Sequence, residues 1–185
     1  MLNFELWVIF IRKSRMKIFS NLEFKIGVTV TAEEIIRLLD LKPHPEGGFY
    51  KETYRSSGKI PGLSRAYSTA IYYLLVPGAV SKMHRLSSDE VFHFYLGDPV
   101  TWVLLEPGAE MKKVVLGNQL ESRQQVQMVV KAGTWFGGYL NEGGNYALIG
   151  TTVAPGFEFQ DFEMANREKL LALFPKSEKE IIRLS

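Results

Sequence analysis

Residues 78–97 read GAVSKMHRLSSDEVFHFYLG, and the order of charged and apolar residues in this stretch decides the fold. Gly78 is followed by His84, by Glu90 six positions later, and then by Gly97. Extended as a strand, DEVFHFYLG sets Glu90, Phe92 and Phe94 on one face and His93 on the other, because side chains alternate. His84 is expected just after a strand and before a turn. A carboxylate beside two phenylalanines on an inward face needs a hydrogen-bond partner or a ligand.

The surrounding sequence has the same texture. GFYKETYR, AYSTAIYYLLV, DPVTWVLLEPG, MKKVVLG, QVQMVVKAG, TWFGGYL and NYALIGTTVAPG are short runs rich in β-branched and aromatic residues. Breaks such as PG, GD, GN, AG and EGG recur at the spacing of an antiparallel sandwich or barrel, with no βαβ alternation. Before them, TAEEIIRLLD opens with Thr31 and Glu34 in capping-box register and predicts a short helix over 31–40, which the prolines and glycines of LKPHPEGG end. After them, REKLLALFPKSEKEIIRLS predicts two short helices divided by Pro175. The expectation is an all-β domain over residues 31–185 with helices at either end, preceded by an extension over residues 1–30.

Composition narrows the function classes. The chain of 185 residues has no cysteine, which excludes disulfides, thiolate metal sites and thiol nucleophiles and favours a cytoplasmic setting. Of 22 basic and 20 acidic residues, Arg12, Lys13, Arg15 and Glu5 precede Met16, so the remainder carries 19 of each. A neutral body offers no basic face for nucleic acid. The apolar run of the extension is about half the ~20 residues of a membrane span and is interrupted by Glu5. Its basic residues follow that run, the reverse of a signal peptide. An added edge strand, or an initiator at Met16, are the readings favoured for it over a surface anchor.

The Gly78–His84–Glu90–Gly97 spacing resembles the first motif of the cupin superfamily, whose fold is a double-stranded β-helix, or jelly-roll barrel. LKPHPEGGFYKETYRS, STAIYYLL, HRLSSDEVFHFYLGDP and TVAPGFEFQDFE further resemble, in that order, a cupin branch catalogued as a domain of unknown function. The resemblance covers about Thr31 to Leu184 and implies a homodimer and a fold shared with sugar-nucleotide epimerases. In metal-binding cupins the first motif supplies two histidines and a glutamate, and the second motif a third histidine. Here Leu86 and Phe136 stand at two of those positions, and a catalytic metal usually needs three protein ligands. No metal and no other cofactor is therefore expected.

The resulting reading is a metal-independent cupin that binds a small organic molecule, such as a sugar or sugar nucleotide, in its barrel. If it is an epimerase- or isomerase-like enzyme, His84 is the candidate base and Glu90 or Asp161 orients it. The ligand-binding set is completed by Glu46, Arg55, Arg85, Phe92, His93, Phe94, Trp135, Phe157 and Phe159: charged groups at the barrel mouth, guanidiniums suited to anions, and an aromatic wall. Alternating residues in PGFEFQDFE set Phe157, Phe159 and Asp161 on one face. A non-catalytic binding protein is the first alternative, and a metal-dependent oxygenase or isomerase the second.

Overall fold

A computed structural model describes residues 30–185. The readings of the N-terminal extension lie outside the described residues. Thr31–Ser185 form one compact unit. Among the described residues no helix is long and apolar enough to cross a membrane.

The unit begins with α1 (Ala32–Leu39), whose capping box forms as the sequence requires: Thr31 accepts from the Glu34 amide, and Glu34 accepts from the Thr31 amide. Asp40 in the left-handed region ends it. Eleven strands follow among the described residues: β1 (Lys42–Pro43), β2 (Phe49–Arg55), β3 (Thr69–Leu75), β4 (Val80–Leu86), β5 (Asp89–Gly97), β6 (Val100–Leu105), β7 (Lys112–Leu116), β8 (Gln127–Val130), β9 (Trp135–Leu140), β10 (Ala147–Ala154) and β11 (Phe162–Met164). Helices α2 (Arg167–Leu173) and α3 (Glu178–Arg183) close the chain, separated by a single turn starting at Pro175.

The strands make two antiparallel sheets, ordered β1-β2-β3-β10-β5-β8 and β11-β4-β9-β6-β7. Between them Tyr73, Leu75, Phe92, Trp102, Leu104, Phe136 and Ile149 form the barrel core. Strand parity sends alternate residues the other way. Leu74 and Leu148 pack under Ile35 and Leu41 beside α1, while Val103, Leu105 and Trp135 pack under Leu170, Ile181 and Leu184 of the C-terminal helices. This explains why β6 is buried at every position of its VTWVLL run, whose one polar residue, Thr101, donates to Asn141.

Two local expectations change. His84 lies inside β4, not after it. PGFEFQDFE is not an alternating strand: Phe159–Asp161 form a 3-10 turn, and pairing resumes only in β11, where Phe162 faces Leu86 and Met164 faces His84.

Candidate functional site

One end of the barrel is left unfilled. A cavity of ≈ 150 Å³ is lined from β2 by Tyr50, Glu52 and Arg55, and from β3 by Ile71 and Tyr73. Strand β4 contributes His84 and Leu86, β5 contributes Glu90 and Phe92, and β10 contributes Thr151 and Val153. The loop before β2 adds His44 and Glu46, and the segment after β10 adds Phe157, Glu158, Phe159 and Phe162. Strands β3, β4, β5 and β10 each contribute residues two apart, which is the inward parity.

The PHPEGG loop is a wall of this cavity. Gly47 and Gly48 have φ of 117° and 64°, and a Cβ on Gly47 would collide with the Val80 carbonyl oxygen. Only glycine lets the loop approach β4 so closely. The Lys82 amide donates to the Glu46 carbonyl and the Tyr73 hydroxyl to the Gly47 carbonyl, which carries the Glu46 side chain into the barrel, 7% exposed.

There Glu46 meets His84. The His84 Nδ1 lies 2.7 Å from the Lys82 carbonyl, which can only accept, so Nδ1 carries a proton. Nε2 then faces Glu46 Oε2 at 3.1 Å, a contact that requires one further proton between the two atoms. Ser81 donates to the other Glu46 oxygen at 3.0 Å. The rings of Phe136 and Phe162 flank the imidazole, with centroids 4.1 and 5.1 Å away. His44 is the second histidine of the cluster. Its Nδ1 accepts the Glu46 amide at 3.3 Å, and burial, only partly countered by Glu46, holds its pKa below the ordinary 6.5.

Glu90 stands apart from these pairs. It is 7% exposed, and its Oε2 is a buried oxygen with no hydrogen-bond partner among the described residues. Burial and the nearby Glu46 charge, opposed by a hydrogen bond from Thr151, push its pKa from 4.5 up to about 8. Near neutrality Glu90 is therefore mainly an uncharged acid, and its free oxygen is not satisfied by the described residues.

The sequence-predicted residues divide accordingly. His84, Glu90, Glu46, Arg55, Phe92, Phe157 and Phe159 line the cavity. Phe94, two residues further along β5, packs against the filled part of the barrel and does not. His93 is on the opposite face of β5, bonded to Thr152 and Gln127. Arg85 points outward, paired with Glu163 at 2.7 Å and lying over Trp135, which itself belongs to the layer under the C-terminal helices. Asp161 cannot orient His84: it pairs with Arg65 at 2.9 Å. His84 is not an open base either, since both ring nitrogens are engaged. Tyr50, Tyr73, Thr151 and Phe162 escape the sequence reading, although Tyr73 shares inward parity with Ile71, and Thr151 with Val153.

The donor set does not fit a metal. No group of three His, Cys, Asp or Glu side chains able to hold one occurs among the described residues. Phe136 lies directly across from His84 in the β4–β9 ladder, and Leu86 two residues along β4, so carbon flanks the His84 imidazole on both sides.

Comparison with known proteins places the fold. A curated, uncharacterized protein of Saccharomyces cerevisiae is 31% identical over 146 residues, 70% of this chain and 72% of the yeast one. The solved structure of the Shewanella oneidensis protein SO0799 is 38% identical, with a TM-score of 0.81, over 85% of this chain and 98% of that one. A hypothetical protein from Leishmania major is 33% identical, with a TM-score of 0.79, over 84% and 98%. Oxalate decarboxylase from Bacillus subtilis shares the fold alone, at 16% identity and a TM-score of 0.52 over 80% of this chain and 37% of its own. The model of the family described as Cupin superfamily (DUF985) matches residues 33–165, and the chain belongs to that family.

Proposed function

We propose that the open end of the barrel is a binding site for a small organic molecule, with Glu90 as the group that exchanges a proton with it. The observation that carries this reading is the unpaired Oε2 of Glu90. Leaving a buried oxygen without a partner costs about 1–3 kcal/mol. A ligand hydroxyl or carbonyl would satisfy it. The lining suits such a guest: Tyr50, Tyr73, Phe92, Phe157 and Phe162 supply aromatic faces, and a few polar groups fix orientation. A cavity of ≈ 150 Å³ accommodates about one six-membered ring.

An isomerase-like step would use this carboxyl in both protonation states. Its carboxylate takes a proton from a hydroxyl-bearing carbon beside a carbonyl, and the resulting acid returns that proton to the former carbonyl carbon while the hydroxyl proton moves to the former carbonyl oxygen. A group titrating at about 8 populates both forms near neutral pH. His84 then serves as the fixed partner of Glu46 in place of the role of base assigned to it from sequence. A purely binding role uses the same contacts without the transfer.

The test is to denature the purified protein and identify released compounds by mass spectrometry, comparing the wild type with Glu90→Gln. A compound held by the wild type and lost from the variant supports the site. Equal retention by both would place the ligand elsewhere.

A homodimer is part of the proposal, supported by apolar surface at one edge of the six-stranded sheet. Tyr95, Leu96, Val126 and Val129 are each about half exposed beside β8, the terminal strand.

A further inference from the structure

Among the described residues, four acidic side chains line the cavity, Glu46, Glu52, Glu158 and the mainly uncharged Glu90, with one permanent cation, Arg55. That guanidinium is already engaged. Of its five N–H groups, Nε and one NH2 hydrogen go to the two oxygens of Glu52 at 2.9 and 2.8 Å. An NH1 hydrogen goes to Glu158 at 2.8 Å and the second NH2 hydrogen to the Phe157 carbonyl at 3.1 Å. One N–H remains, so the planar fork that grips a phosphate or carboxylate with two parallel bonds is closed.

The histidines do not replace it. His44 is kept uncharged at neutral pH by burial, and His84 faces the carboxylate of Glu46. Arg65 and Arg85, the other arginines beside this end of the barrel, are committed to Asp161 and Glu163. An anion entering the cavity would meet surplus negative charge and no open donor fork.

Building on the reading of this cavity as a small-molecule site, we propose that Glu52 and Glu158 determine its specificity by closing it to anions. The ligand presents an uncharged, hydroxyl- or carbonyl-bearing end. Phosphate esters and carboxylates are excluded, and sugar nucleotides with them.

The test uses inorganic phosphate as the probe, titrated calorimetrically into the full chain. The wild type should show no saturable binding at millimolar concentration. Glu52→Gln/Glu158→Gln turns the mouth from net −1 to net +1 around Arg55 and should bind phosphate about tenfold more tightly. Adding Arg55→Gln should cancel that gain. Both glutamates are 38% exposed, and Glu158→Gln alone, which leaves the Glu52 pair intact, should give a smaller gain in the same direction. Saturable, Arg55-dependent phosphate binding by the wild type would overturn the proposal, as would a double variant that gains nothing. Neither outcome depends on whether a compound is released from the wild-type cavity, so the two readings fail separately.

Discussion

Glu90 makes the stability of this protein depend on pH in a direction opposite to that of most carboxylates. In the unfolded chain it titrates at an ordinary 4.5, and in the folded barrel at about 8. Between those values the folded state holds a proton that the unfolded state has released. Stability from this group is therefore complete below 4.5, declines as pH rises through the window, and is fully lost above about 8. The gap between 4.5 and about 8, at about 1.4 kcal/mol for each tenfold change, amounts to about 5 kcal/mol. That is a large share of the roughly 5–15 kcal/mol that holds a domain together.

Glu90→Gln removes the ionisation and keeps the shape, so it isolates this contribution from every other titrating group. Urea unfolding of both proteins at several values between about pH 5 and about pH 9 gives the difference directly. At the acid end the variant should lie within about 1 kcal/mol of the wild type, since an amide replaces a neutral acid. At the alkaline end it should be the more stable protein by several kcal/mol. Parallel pH profiles would refute the reasoning, because they would mean that Glu90 ionises in the barrel as readily as in water.

The remaining predictions concern the neighbours of Glu90 and the assembly. His44 has its pKa lowered by burial, so its contribution is complete above 6.5 and is lost as pH falls below it. His44→Gln should flatten the acid limb of a melting-temperature profile, and an unchanged limb would show that His44 is not the group responsible. Purified protein should carry less than one transition metal per chain by elemental analysis, because Leu86 and Phe136 flank His84 with carbon. One tightly held metal per chain, released by His84→Ala, would contradict this. Light scattering at micromolar concentration should give the mass of a dimer. Val129→Lys, an exposed change on the terminal strand, should shift it toward monomer, and no shift would move the interface elsewhere.

The fold was legible because its signals are local. The capping box of Thr31 and Glu34, the alternation in DEVFHFYLG and the mainly apolar run of β6 each follow from spacing a few residues long. The inward set of β5 was readable for the same reason as far as Phe92. It failed at Phe94 because parity fixes which side a residue faces and not how deep along the barrel it sits. PGFEFQDFE misleads because its alternation is that of a strand, while Arg65 ties the chain elsewhere through the Gly156 carbonyl and Asp161, allowing a turn to form. Arg85 and Trp135 stand out by chemical type, and their outward direction depends on the C-terminal helices and on β11, far away in sequence. The partnership of His84 with Glu46 spans 38 positions and could not be read from either motif alone.

That partnership also gives the histidine of the cupin spacing a carboxylate for its inward nitrogen. An imidazole buried to 3% exposure needs something opposite its inward nitrogen. In a metal site that role falls to the ion, and neighbouring ligands share it. Here Leu86 and Phe136 stand at two of the ligand positions of the cupin spacing and offer carbon alone. The PHPEGG loop supplies the replacement by bringing Glu46 to 3.1 Å, an approach that the positive φ of Gly47 and its contact with Val80 make possible. One consequence falls on Glu90. A carboxylate at Glu46 faces the same cavity and adds to burial in discouraging a second negative charge, so the proton stays on Glu90. Loop, imidazole and acid are thus one arrangement: the glycine pair places Glu46, Glu46 holds His84, and the Glu46 charge adds to burial in keeping Glu90 protonated with one oxygen unpaired.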